Sequence, residues 1–253
     1  MALANPVCLG CKHKEFIPLH TLSDRLSGDM FDYVQCAKCE SIYLAAELTP
    51  TEMMAYYPVD YEPYRKAHPL GEDPGSLSSH RILITFVESF IKQPGHLLDV
   101  GCATGDFLFA AHQRKWNVTG IEIIPSAANY ARSVRGFHVE ESDITETTLP
   151  DEFFSAITMW DVLEHLPMPD LAIRRSYRLL IPGGYLFLSI PNLKSFDRSL
   201  FGNAWIGWDP PRHICLFSDT ALSALMARVG FEYVDSRCIL GGRGAFLLSI
   251  ETT

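Results

Sequence analysis

Long hydrophobic runs are missing from this sequence of 253 residues: no apolar stretch approaches the roughly 20 residues that a membrane-crossing helix needs. Its start, MALANPVCLGCKHKE, also lacks the cationic head and apolar core of a secretory leader. The expectation is a cytoplasmic protein with no membrane partner, in a compartment where close cysteine pairs hold metal more often than they form disulfides. Basic residues are scarce as well. Lys and Arg number 21 against 30 Asp and Glu, a net charge of −9. From Gly136 to Ile173 there are nine carboxylates and no Lys or Arg. That balance counts against a nucleic-acid partner, because non-specific affinity for polyanions comes from clustered cations. Gly and Pro, at 17 and 16, are too few and too irregular for collagen-like or low-complexity architecture.

What the chain does have is 47% hydrophobic residues over a length that buries a sizeable core without disulfides. Four of its seven cysteines come in two pairs, Cys8-x2-Cys11 and Cys36-x2-Cys39, separated by 24 residues. The x2 spacing lets both sulfurs of a pair point at one ion from a tight turn, and four thiolates close a tetrahedral Zn²⁺ shell at about 2.3 Å each. A closed shell leaves no position for substrate, so the expectation is a structural zinc ribbon over residues 1–48, with short strands around a Ser-Gly-Asp turn. Cys102, Cys215 and Cys238 stand apart and read as packing residues.

Residues 49–80 read as a Tyr/Pro-rich helix and linker: Thr49-Pro50-x-Glu52 is a helix start, and tyrosines at 56, 57, 61 and 64 are broken by Pro58 and Pro63. From residue 81 to 253, strand-like and helix-like segments alternate, which implies a parallel sheet with helices on both faces. The helix MPDLAIRRSYRLL is expected to end at Pro182-Gly183-Gly184. The last two strands lack a helix between them and are expected to pair antiparallel through a Gly241–Gly244 turn.

The central motif is Leu98-Asp99-Val100-Gly101-Cys102-Ala103-Thr104-Gly105 at a strand-to-helix turn. Glycines there let a ligand approach the backbone, and the following helix offers unpaired N–H groups. The spacing fits neither G-x-G-x-x-G nor G-x-x-x-x-G-K-[ST]. Glu122, 23 residues after Asp99 and at the next strand end, is placed to accept from both hydroxyls of a ribose. Ser142-Asp143-Ile144 follows the third strand, where an adenine ring would lie.

On these residues the sequence resembles the class I S-adenosylmethionine-dependent methyltransferases over roughly residues 75–253. LLDVGCATGDFL is similar to the family's glycine-rich motif, IEI to its ribose acid, ESDIT to its adenine loop, and WDVLEHL to its fourth-strand motif. RLLIPGGYLFLSIPN resembles its turn into strand five. The CxxC…CxxC module with later PPRHICLFS resembles a bacterial subgroup associated with carbohydrate or natural-product modification. The resemblance implies a Rossmann-like α/β fold, a seven-stranded mostly parallel sheet with an antiparallel last strand. It also implies a cofactor site made by Asp99, Gly101, Cys102, Gly105, Glu122, Ile123, Asp143, Ile144 and Asp161, and methyl transfer to a small-molecule acceptor, a sugar or related metabolite hydroxyl.

His165 and His213 are the candidate bases, beside Asp161. Asp161-x-x-Glu164-His165 with a distant His213 is similar to the Glu-x-x-Glu-His metal sites of some O-methyltransferases, including ubiquinone-biosynthesis enzymes. That resemblance implies a divalent ion at Asp161, Glu164, His165 and His213, which would acidify and orient the acceptor hydroxyl. Trp205 and Trp208, near His213, are candidates for stacking on the acceptor. The alternatives are a zinc-ribbon nucleic-acid-modifying enzyme, which the acidic balance counts against, and a non-catalytic adaptor that retains the fold.

Overall fold

FIPLHTLS and MFDYVQC form an antiparallel hairpin, β1 (Phe16–Ser23) and β2 (Met30–Cys36), in the computed structural model, which describes residues 7–57, 75–238 and 245–252. Asp24 closes the turn between them: its N–H donates to Asp29 O at 2.8 Å and its carbonyl accepts from Gly28, whose φ is +81°. Strand β3 (Ile42–Leu44) pairs with β2 and, on its other edge, with the two-residue strand β9 (Cys215–Leu216). The registers Ile42 opposite Leu216 and Tyr43 opposite Cys215 join chain ends far apart in sequence. This four-stranded sheet, ordered β1-β2-β3-β9, covers a core of Leu22, Phe31, Tyr33, Ile42, Leu44, Trp205, Trp208 and Leu216.

The sheet belongs to a first compact unit made of Met1–Pro58, Asp161–Arg174 and Leu188–Ile250. Helix α1 (Pro50–Met54) has the Thr49/Glu52 capping box that the sequence signals. The second unit, Val59–Trp160, Arg175–Phe187 and Glu251–Thr253, holds the helix α2 (Gly75–Phe90) and the parallel strands. Here β4 (His96–Val100) lies between β5 (Asn117–Ile121) and β7 (Phe154–Trp160), and β6 (His138–Glu140) lies beyond β5. Helix α3 (Asp106–Gln113) follows the glycine turn, and α4 (Pro125–Ser133) starts with proline at its first position.

With β8 (Leu180–Pro191), which is shared between the two units, the order β8-β7-β4-β5-β6 makes a parallel centre of five strands. Beyond β8 the order continues to β11 (Ala245–Thr252) and β10 (Phe231–Cys238), seven strands in all. The remaining α-helices among the described residues are α5 (Pro169–Leu179), α6 (Phe196–Phe201) and α7 (Asp219–Val229). Ser218 caps α7 by accepting from Ala221 N–H, and Gly230 ends it at φ +109°.

One local expectation is corrected. Helix α5 stops at Leu179 and β8 begins at Leu180, so Pro182-Gly183-Gly184 lies inside a strand. Gly183 supplies a φ of +77° there without breaking it. The compact units have their own boundaries, at 58/59, 160/161, 174/175, 187/188 and 250/251, and β3 takes β9 as its partner inside the first. Pro58, Tyr61, Pro63, Tyr64 and the Gly241–Gly244 turn lie outside the described residues.

Candidate functional site

In the second unit, β4 delivers Asp99 opposite Thr158 of β7, and the Thr158 hydroxyl donates to Asp99 Oδ1 at 2.7 Å. The chain then turns through three left-handed residues, Gly101 (φ +70°), Ala103 (+46°) and Gly105 (+82°). The N–H groups of Gly101 and Cys102 donate to Ile121 O at 2.8 and 3.1 Å. Alanine is strained at positive φ, and here it is held by Glu122, whose Oε2 accepts from Ala103 N–H at 2.8 Å. Glu122 Oε1 accepts from Ile124 N–H, also at 2.8 Å. Each carboxylate oxygen keeps a further lone pair for a ligand.

Both acids are buried and both pKa values are raised. Burial drives Asp99 to about 8, resisted by the Thr158 hydrogen bond and reinforced by the nearby Glu122 charge. Burial also lifts Glu122, against the Ile124 and Ala103 amides. Asp143 Oδ1 accepts from Thr145 N–H at 2.7 Å and from its hydroxyl at 2.6 Å, which fixes the loop after β6. Ile123 is 56% exposed although apolar, while Ile144 is buried. Cys102 points into a core of Leu108, Ala128, Ala131 and Val139, so it offers the turn its backbone and not its thiol. A Cβ at Gly120 would sit 2.5 Å from the Cys102 sulfur, which explains a glycine that sequence reasoning passed over.

In the first unit the four paired cysteines converge. Cys8 and Cys39 sulfurs are 3.5 Å apart, as are those of Cys11 and Cys36, and all four lie within 4.8 Å of one another. A sulfur tetrahedron around an ion at about 2.3 Å has edges of about 3.8 Å, close to these separations. Each knuckle turns on a left-handed residue one position past its second cysteine, Lys12 (φ +62°) and Glu40 (+63°). Burial raises the Cys8 and Cys11 thiols; at Cys36 burial acts upward too but is outweighed by the N–H groups of Cys39 and Lys38, which favour thiolate.

A second cluster in the same unit joins Glu164, His165 and His213, whose ligand atoms also lie within 4.8 Å of one another. Glu164 and His165 sit on a single 3-10 turn, Leu163–His165. His165 Nδ1 donates to the Arg212 carbonyl at 2.9 Å, and His213 Nδ1 donates to the Gly207 carbonyl at 2.8 Å. A carbonyl only accepts, so in the neutral rings the lone pairs reside on the two Nε2 atoms. Tyr57 OH lies 3.1 Å from His165 Nδ1, and His213 Nε2 lies 4.0 Å from Glu164 Oε1. Neither carboxylate oxygen of the buried Glu164 has a hydrogen-bond partner. Burial holds Glu164 well above the usual carboxylate range, and the Asp161 charge adds to it. Burial, helped by His213, lowers His165 to about 3, and burial lowers His213 as well. Two imidazole lone pairs and an unpartnered carboxylate form a donor set that could hold a divalent metal.

The methyltransferase-domain family model matches residues 79–236. The chain belongs to that family. It is 38% identical over 118 residues to the ubiquinone biosynthesis O-methyltransferase of Pseudomonas entomophila, an alignment covering 44% of this chain and 51% of that protein. The chain therefore spans about half the length of the curated relatives it matches. Among solved structures it is similar to the 1,6-didemethyltoxoflavin-N1-methyltransferase of Burkholderia thailandensis. That match has a TM-score of 0.60, 16% identity and coverage of 93% of this chain and 99% of the other. It is also similar to the magnesium protoporphyrin IX methyltransferase of Synechocystis, with a TM-score of 0.62, 15% identity and coverage of 81% and 100%. At those identities the likeness is one of fold.

Within this methyltransferase fold, three of the four residues expected to hold a divalent ion come together and the fourth does not. Asp161 adopts φ +55°, its N–H donates to Ser189 Oγ at 2.8 Å and its Oδ1 accepts from the same hydroxyl, which draws the carboxylate toward β8. Trp205 and Trp208, expected near an acceptor, are core residues at 2% and 3% exposure. Sequence reasoning missed Tyr33, Tyr57, Asp24 and Arg212. Their partners are more than 100 positions away, and no local pattern announces such contacts.

Proposed function

We propose that the chain transfers methyl from S-adenosylmethionine to a hydroxyl of a small-molecule acceptor, a sugar or related metabolite, with a divalent ion held by Glu164, His165 Nε2 and His213 Nε2. The observation that carries this reading is the buried Glu164 carboxylate, with no hydrogen-bond partner of its own and facing two imidazoles. The similarity to ubiquinone biosynthesis O-methyltransferases supports oxygen as the methylated atom.

Bound S-adenosylmethionine supplies an activated methyl on a sulfonium, so much of the acceleration comes from positioning and desolvation. The Gly101–Gly105 turn and Asp99 shape the methionyl end. Glu122 would accept from the ribose hydroxyls, and Ile123, Asp143 and Ile144 would hold the adenine end. Asp161 keeps its place in the proposal as the carboxylate at the end of β7, nearest the reacting groups by resemblance. Glu164, His165 and His213 would hold a divalent ion, whose charge would acidify and orient the acceptor hydroxyl. His165, lowered to about 3, is a weak proton acceptor near neutrality but keeps its lone pair for a ligand, which favours metal holding over general-base duty. The four N-terminal thiolates hold one structural Zn²⁺, whose ligands converge in the first unit, and the proposed setting is the cytoplasm.

Calorimetry and a methyl-labelled cofactor test the reading. Glu122→Ala is expected to weaken S-adenosylmethionine about tenfold or more, the worth of hydrogen bonds to a charged group. Label transfer to a hydroxyl is expected to stop when divalent ions are stripped from zinc-replete protein and to return with Mg²⁺ or Mn²⁺. Unchanged cofactor affinity in Glu122→Ala overturns the cofactor assignment. Undiminished transfer in stripped protein overturns the metal, and methylation of tRNA in place of small hydroxyls moves the acceptor to the nucleic-acid class.

A further inference from the structure

Three consecutive residues, Arg212, His213 and Ile214, each face two ways. The Arg212 guanidinium pairs with Asp24 Oδ1 at 2.8 Å, in the β1–β2 turn, while its carbonyl accepts from His165 Nδ1 at 2.9 Å. The His213 carbonyl accepts from the Tyr33 hydroxyl of β2 at 2.8 Å, while its Nε2 faces Glu164. The Ile214 carbonyl accepts from Leu44 N–H of β3 at 2.9 Å, while its own N–H donates to the Glu164 carbonyl at 2.8 Å. One side of this tripeptide is tied to the N-terminal sheet, and the other to the turn that carries Glu164 and His165.

We propose that the cysteine-bearing N-terminal sheet is a positioning element for the Glu164–His165–His213 cluster, and that Tyr33 and the Asp24–Arg212 pair are the positioning residues that set its affinity for a divalent ion. The proposal rests on the metal reading above and adds what holds the ligands in place.

The energetics of the ties favour geometry over mere cohesion. Arg212 and Asp24 are 2% and 1% exposed, and the guanidinium also binds Asp209 through both carboxylate oxygens and the Tyr56 carbonyl at 2.9 Å. Burying such charges costs desolvation that apolar residues of similar volume would avoid, so a buried pair is poor evidence for stability. What it does fix is the Arg212 carbonyl, and that carbonyl selects the His165 tautomer with its lone pair on Nε2. The link runs on to the cysteines. Ser218 N–H donates to Ser41 Oγ at 3.0 Å, and the Ser218 hydroxyl donates to the carbonyl of Cys39. A zinc knuckle that holds Cys36 and Cys39 thus holds the start of β3 and, through β9, the chain that carries His213.

Manganese is the probe, because Mn²⁺ prefers oxygen and nitrogen ligands and leaves zinc on its thiolates. Full-length, zinc-replete protein is titrated with Mn²⁺, and the free ion is read by electron paramagnetic resonance. The unaltered chain is expected to bind one Mn²⁺, and Glu164→Gln to abolish that binding. Tyr33→Phe and Asp24→Asn are each expected to raise the Mn²⁺ Kd about tenfold or more, the usual cost of removing a partner behind a metal ligand. Zinc content and S-adenosylmethionine affinity should stay as in the unaltered protein. A merely structural role would lower the melting temperature and leave the Kd of the folded molecules alone. If Asp24→Asn fails to fold, Tyr33→Phe decides, since it removes one hydroxyl and keeps the ring. A Kd within about twofold of the unaltered protein in folded Tyr33→Phe overturns the positioning role while the metal reading stands. No Mn²⁺ binding by the unaltered protein overturns both.

Discussion

Asp99 shows how much a single residue's setting decides. Its pKa of about 8 stands far above the carboxylate range near 4 because β4 and β7 enclose it, and the Thr158 hydrogen bond offsets only part of that. Between about pH 4 and about pH 8 the folded chain holds a proton that the unfolded chain has released. The contribution of this group to ligand-free stability therefore falls as pH rises across that window. Asp99→Asn is neutral at every pH and still offers Thr158 an acceptor. Its melting temperature is expected to fall less than the wild type's between about pH 5 and about pH 8, and to equal or exceed it at the upper end. Melting curves that coincide at every pH would mean that Asp99 is ionised throughout. The acid itself was legible as the opening of the glycine motif, but its titration was not, since burial depends on strands that arrive later in the chain.

Elements differ in how plainly the sequence announces them. The Thr49/Glu52 box, Pro125 at a helix start and Gly230 at a helix end are local signals, and each marks a boundary in the structure. The two cysteine pairs are local as well, and the residues that follow them, Lys12 and Glu40, supply the left-handed turns a knuckle needs. Strand β9 is the opposite case. Two residues have no period, and only pairing with β3 makes them a strand. The burial of the tryptophans is not legible locally for the same reason, because it depends on the hairpin at the other end of the chain. Asp161 stands apart from the Glu164–His165–His213 cluster, and a hydroxyl 28 residues on, Ser189, binds it instead. At this scale one structural Zn²⁺ per chain is expected by elemental analysis of protein purified without chelator. Cys36→Ser should lose that zinc and the hydrogen-exchange protection of β1, β2 and β3, while the amides of β4 and β5 stay protected. Full zinc-free protection of the N-terminal strands would remove the metal from the account.

The whole molecule is stitched from chain segments that leave and re-enter each unit, at 58/59, 160/161, 174/175, 187/188 and 250/251. A reading along the sequence divides it differently, into a ribbon at 1–48, a linker at 49–80 and a methyltransferase domain at 81–253, and that division is open to a direct test. If residues 81–253 were self-sufficient, the fragment would fold alone. The structure argues against this. Removing residues 1–80 strips β3 from β9 and takes Leu22, Phe31, Tyr33, Ile42 and Leu44 off Trp205, Trp208 and Leu216. It also leaves Arg212 without Asp24 in a site that is almost fully buried. Arg212 keeps Asp209, so the larger cost is the exposure of large core side chains, about 1.5–3 kcal/mol each against a total stability of about 5–15 kcal/mol. The 81–253 fragment is therefore expected to lose the near-ultraviolet circular dichroism of its buried tryptophans and to bind hydrophobic dyes. A fragment that melts cooperatively with its tryptophan signal intact would restore the sequential division and make the N-terminal sheet an appendage.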